Sequence, residues 1–145
     1  MKQKLLSILF LGFSLVGFSQ TTSIPDANFE QALIDLGHDT IIDGQVLTAN
    51  ISSLTSLVVT YRNISDLTGI EDFTALNLLY CNGNQLTNLE ISNNPLLTTL
   101  LCNDNQLTNL DVSSATSLVT FYCNNNQITS IDVSSNINLQ GFRCQ

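Results

Sequence analysis

Leu97 to Ser117, LTTLLCNDNQLTNLDVSSATS, decides the fold, because the same 21-residue pattern stands directly before it and directly after it. Upstream, residues 76–96 read LNLLYCNGNQLTNLEISNNPL; downstream, residues 118–138 read LVTFYCNNNQITSIDVSSNIN, and a partial fourth copy, LQGFRCQ, occupies 139–145. Aligned, the copies give L-x-x-[LF]-x-C-x-x-N-Q-[LI]-T-x-[LI]-[DE]-[VI]-S, with apolar residues and cysteine at fixed offsets and polar residues between them. Neither a helical period of 3.6 nor a strand period of 2 fits the whole unit. Leu97, Leu100 and Cys102 read as the inward side of one short strand, and Leu107, Leu110 and Val112 as the inward side of the return path. A unit of this size cannot bury so many apolar groups alone, so each copy needs a neighbour on either side. The pattern therefore predicts a solenoid.

These residues resemble the leucine-rich repeat family, whose core L-x-x-L-x-L-x-x-N-x-L is met here with Cys81, Cys102 and Cys123 at the third core position. The similarity covers 76–145 regularly and 54–75 less so, and bacterial secreted members are the nearest type. It implies an α/β solenoid with one short parallel strand per coil on the concave side. Only 21 residues per coil leave little room for convex helices, so extended or 3₁₀ segments are expected there. Asn84, Asn105 and Asn126 take the family's asparagine position, where a turn leaves backbone groups facing inward. An amide both donates and accepts, so stacked asparagines can satisfy those groups from coil to coil. A structural role is assigned to them over a ligand- or metal-binding one.

Ahead of the repeats, residues 1–19 carry Lys2 and Lys4, an apolar run from Leu5 to Phe18 and small residues near Ser19. This is the layout of a secretory signal peptide, too short for a membrane span, with cleavage expected after Ser19. It predicts a secreted or cell-surface protein without membrane insertion after cleavage. Removing it leaves Arg62 and Arg143 against twelve Asp and Glu, a formal charge of −10. Nucleic acid and anionic membranes are poor partners for so acidic a chain.

Residues 20–53 read as an N-terminal cap and linker. SIPDANFEQALIDLG predicts a helix over about 26–36, with Ser23 or Asp26 as N-cap, Pro25 in its first turn, and Phe29, Ala32, Leu33 and Leu36 on one face. Gly37 suits the C-terminal cap. Such a helix would cover the open end of the first coil. The link from His38 to Gly44 holds Asp39 and Asp43, but the ligand spacing of a calcium loop is absent and no metal is assigned. Val46 to Ile51 is expected to form a first edge strand. An irregular lead-in coil, 54–75, follows, with Arg62 where asparagine is expected and 22 residues in place of 21. Regular coils then occupy 76–96, 97–117 and 118–138, and a partial one 139–145. That last coil leaves Ile128, Ile131, Val133, Leu139 and Phe142 uncovered, which points either to a fragment of a longer protein or to self-association through that end.

Four cysteines in a secreted chain ordinarily suggest disulfides. Here Cys81, Cys102, Cys123 and Cys144 recur every 21 residues, at one inward position on neighbouring strands about 4.8 Å apart. Parallel side-chain vectors disfavour a bridge, and buried thiols serve as small apolar groups. A linear ladder is not a tetrahedral metal site. No catalytic constellation is present: His38 lies outside the repeats, and Glu90, Asp111 and Asp132 read as a solvated convex stripe or as acceptors for local N–H groups. No enzyme activity, cofactor or metal is predicted.

Between the inward residues, side chains alternate to the concave face. One column reads Val58, Tyr80, Leu101, Tyr122 and Arg143; beside it run Ser56, Leu78, Thr99, Thr120, Gly141 and, on the other flank, Thr60, Asn82, Asn103, Asn124, Gln145. Tyrosine and leucine flanked by asparagine and threonine suit contact with a protein, or with carbohydrate. They suit an ordinary sheet surface equally well. The reading is a binding module for protein recognition or adhesion; a structural spacer and the recognition arm of a larger secreted enzyme stand as alternatives.

Overall fold

The computed structural model describes residues 19–145, so all of the signal-peptide reading except Ser19 lies outside the described residues. The N-terminal unit begins with β1 (Thr21–Ser23) and α1 (Ala27–Asp35). Asp26 is the N-cap: its carboxylate accepts the N–H groups of Asn28 at 2.9 Å and Phe29 at 3.0 Å. Ser23 belongs to the strand and Pro25 precedes the cap, so neither has the place in the helix start that the local pattern suggests. At the other end Gly37 is left-handed, its N–H donates to Ile34 O, and His38 N–H donates to Leu33 O, both at 2.9 Å. These two bonds close the helix in a Schellman motif. Phe29, Ala32 and Leu33 are buried, and the Phe29 ring stacks on Phe73 with centroids 6.2 Å apart. The apolar face of α1 therefore joins the same core as the coils.

The stretch 46–51 is not an edge strand of the main sheet. β2 (Gln45–Leu47) pairs antiparallel with β1, and the chain then turns into a short helix, α2 (Thr48–Ile51). The loop before β2 is held by Glu30, which is 1% exposed and accepts the N–H groups of Asp43, Gly44 and Gln45 on one carboxylate oxygen. Backbone donors thus satisfy a charge that would be costly to bury bare.

The coils follow. β3 (Ser56–Val58), β4 (Leu78–Tyr80), β5 (Thr99–Leu101), β6 (Thr120–Tyr122) and β7 (Gly141–Arg143) form one parallel sheet in chain order. Ser56 pairs with Leu78, a step of 22, and each later step, as from Leu78 to Thr99, is 21. The return side is made of turns and a 3₁₀ segment at Ile70–Asp72. The core is one continuous column of leucine, isoleucine, valine, phenylalanine and cysteine running from Ile24 to Cys123.

Asparagine ties the coils together. Asn105 Nδ2 donates to Cys81 O at 3.0 Å and Cys102 O at 3.1 Å, and its Oδ1 accepts Leu86 N–H at 3.0 Å. Asn84 makes the equivalent bonds to Val59 O and Cys81 O, and Asn126 to Cys102 O and Cys123 O. Each amide spends its donors and its acceptor on backbone groups of two adjacent coils.

Candidate binding face

Every strand of the sheet sends its middle residue inward: Leu57, Leu79, Leu100 and Phe121 are buried, while Phe142 on the last strand is 38% exposed. The flanking residues face the concave side, as strand alternation requires. Val58, Tyr80, Leu101, Tyr122 and Arg143 are direct partners in register, and so are Ser56, Leu78, Thr99, Thr120 and Gly141. Tyr80, Leu101 and Tyr122 are half-buried, so each presents part of its side chain to solvent. The Arg143 guanidinium stands 4.7 Å over the Tyr122 ring. Asn82, Asn103 and Asn124 are half-buried along the flank. Their carbonyls accept the N–H groups of Tyr61, Gly83 and Asp104 from the preceding coil. The column is therefore fixed at both the strand and the turn that follows it.

The four cysteines are free, and three of them are buried. Burial pushes the Cys81 thiol up to about 12 and Cys123 up to about 11, and raises Cys102 well above the ordinary value, with its neighbours Cys81 and Cys123 adding to the effect. Cys144, just after the edge strand β7, is exposed and does not join the three buried thiols, contrary to the expectation of four stacked inward thiols. A thiol reagent at about pH 8, below all three raised values, should label one cysteine per native chain and four after denaturation. Rapid labelling of a second thiol would contradict the buried ladder.

Glu90, Asp111 and Asp132 lie on the exposed return side, where each accepts the N–H group two residues on, from Ser92, Ser113 and Ser134. Those bonds to Ser113 and Ser134 hold Asp111 and Asp132 below the usual carboxylate range. They are turn residues, each occupied locally. Among the described residues no three His, Cys, Asp or Glu side chains gather where they could hold a metal, and no helix is long and apolar enough to cross a membrane.

Several residues that position this face have no obvious mark in the repeat. Asn94 and Asn136 are buried and form a second ladder on the return side, donating to Ile70 O and Phe73 O and to Val112 O and Ala115 O. Their spacing of two repeats is visible in the sequence, but Ala115 interrupts the column. Asp26 reaches 39 residues onward to Ser65, which no local pattern announces. Tyr61, in the irregular coil, is 71% exposed at a left-handed backbone position.

A parallel sheet of stacked coils and an asparagine ladder, here with cysteine at the third core position of each regular coil, define a leucine-rich repeat protein, and a family model described as Leucine Rich repeats (2 copies) matches residues 95–137. The chain belongs to the leucine-rich repeat family, in its bacterial form. Among solved structures it is similar to the functional domain of InlJ from Listeria monocytogenes, described as including a cysteine ladder, at 37% identity and a TM-score of 0.76 over 86% of this chain. It is similar also to an internalin (InlF) from the same organism, at 28% identity and 0.76 over 83%. Internalin C2 shares the fold, at 24% identity and 0.76 over 86%. The chain spans 28%, 36% and 58% of the length of these three chains, respectively. No curated protein matches its sequence.

Proposed function

We propose that this chain is a recognition module of a secreted or cell-surface protein, binding a protein partner through the concave sheet. The observation that carries the reading is the register of Tyr80, Leu101 and Tyr122 on a sheet whose turns are bonded to the next coil. Tyrosine combines apolar area with a polar tip and loses few rotamers on contact, which makes it the residue type that anchors interfaces. A rigid support reduces the ordering cost of binding. The flanking threonines and asparagines supply hydrogen-bond donors and acceptors without a charge to desolvate. The leader-like segment 1–19 supports export, and the acidic balance supports solubility and works against nucleic acid.

Alanine at Tyr80 and at Tyr122 tests the reading. Each truncation is expected to weaken partner binding by about 2 kcal/mol, roughly thirtyfold, and to lower thermal stability only modestly, because each ring is half-buried and outside the core column. A chain serving only as a spacer would show no specific partner, and alanine at Tyr80 and Tyr122 would change nothing. The likeness to a cysteine-ladder domain of a Listeria protein supports the same reading for the buried thiols, as a structural replacement for leucine within a recognition domain.

A further inference from the structure

Four successive coils enter left-handed backbone at one equivalent position, at Tyr61 (φ 54°), Gly83 (70°), Asp104 (57°) and Asn125 (56°). Each N–H there donates to the next coil's carbonyl, at Asn82, Asn103, Asn124 and Gln145. Glycine, asparagine and aspartate adopt this conformation readily; a bulky aromatic residue is strained in it. Burial does not compensate Tyr61, whose side chain is 71% exposed. The ring instead lies against Gly83, where a methyl group would overlap its Cδ1–Cε1 edge. The φ of Gly83 would admit the Asp or Asn found in the next two coils, so what this glycine uniquely supplies is room for the ring. Tyr61 and Gly83 are thus a matched pair: the ring crosses the space that a Cβ at Gly83 would fill and leaves most of its surface open to water.

The row continues with a polar cluster. The Asp104 carboxylate accepts the side-chain amides of Asn103 and of Asn125, the latter at 2.6 Å. Adjacent coils stand about 4.8 Å apart. A ring spanning the first two coils therefore has this carboxylate one step beyond its edge. Strained backbone clusters at functional sites, and the outlier at Tyr61 points to this row as a place to look for one.

We propose that the row Tyr61, Gly83, Asp104 and Asn125 is a saccharide-binding site at the rim of the concave face. The C–H face of a pyranose ring stacks on the exposed ring of Tyr61, and its hydroxyl groups donate to the Asp104 carboxylate. The flanking amides of Asn103 and Asn125 hold that carboxylate in place. The sugar is neutral: with two arginines against twelve acidic residues, the described chain repels uronic acids and sulfated glycans. This site is separate from the Tyr80–Tyr122 column and does not depend on it.

The chain contains only three tyrosines, so 3-fluorotyrosine incorporation gives three fluorine resonances. The intact chain would be titrated with three neutral probes, chitotetraose, cellotetraose and maltotetraose. The expected result is a saturable shift of the Tyr61 line with at least one of them, while the Tyr80 and Tyr122 lines stay in place. Asp104→Asn should weaken that binding about tenfold, the size expected of a lost charge-assisted hydrogen bond. Tyr61→Asn should abolish binding and at the same time raise the melting temperature, because asparagine fits the left-handed turn. That opposition separates a lost contact from a misfolded chain. The proposal is overturned if none of the three probes moves the Tyr61 line at about 10 mM. It is equally overturned if a probe moves the Tyr80 or Tyr122 line in its place, if only a protein partner moves the Tyr61 line, or if Tyr61→Asn lowers the melting temperature.

Discussion

Replacing Asn105 with alanine is expected to cost about 3 kcal/mol of unfolding free energy, measured by urea titration. The side chain is 9% exposed and its amide is fully engaged with two coils. Its loss leaves Leu86 N–H buried without this acceptor, and an orphaned buried donor costs about 1–3 kcal/mol. The two carbonyls fare better, because Cys81 O also accepts from Asn84 and Cys102 O also accepts from Asn126. The remainder of the effect is the lost side-chain packing. Asn126 makes the same bonds but is only half-buried, so water can replace part of what alanine removes there. Asn126→Ala should therefore cost visibly less than Asn105→Ala. Equal and small effects at both positions, below about 1 kcal/mol, would mean that the coils are held by the apolar column alone.

The second large effect belongs to Asp26, which joins the N-terminal helix to the first coil. One carboxylate oxygen caps α1, and the other accepts Ser65 N–H at 2.8 Å, Ser65 Oγ–H at 2.7 Å and Asp66 N–H at 3.1 Å. Asp26→Ala removes a helix cap and three bonds to a charged group, an expected loss of about 3 kcal/mol. A dependence on pH follows. Burial alone disfavours the charge, but the hydrogen bonds from Ser65, Phe29 and Asp66 together outweigh it and hold the carboxyl below its ordinary value of 3.8. The folded chain therefore takes up this proton less readily than the unfolded one. The contribution is complete above the unfolded value and is lost as pH falls through the lower folded value. Denaturation titrations between about pH 5 and pH 2 should show wild type losing stability on acidification, and Asp26→Asn losing less over the same window. A variant with the wild-type slope would show that Asp26 is not the linked group.

Much of this architecture is legible in the residues because the repeat is its own ruler. A period of 21 places Leu100, Cys102, Leu107 and Val112 inward, and each is fully buried. The same period puts Tyr80, Leu101 and Tyr122 in one column, which is the register of the sheet. Legibility fails where the period does. The 22-residue step after Ser56 hides the alignment of Tyr61 with Gly83, and Ala115 hides the ladder of Asn94 and Asn136. It fails also where a contact is remote. β2 pairs with three residues that precede the helix, so 46–51 looks like the beginning of the sheet although it belongs to the N-terminal unit. Glu30 looks like a solvated helix residue, and becomes a buried anchor only because the loop at Asp43 to Gln45 turns three N–H groups toward it.

The proposed binding of a protein partner on the concave sheet is tested most directly by hydrogen–deuterium exchange of the chain with and without that partner. Contact through the Tyr80, Leu101 and Tyr122 column predicts added protection in peptides covering 78–82, 99–103 and 120–124, with the return-side turns 88–95, 109–116 and 130–137 unchanged. Protection confined to the return side, with the strands exchanging as in the free chain, would contradict it.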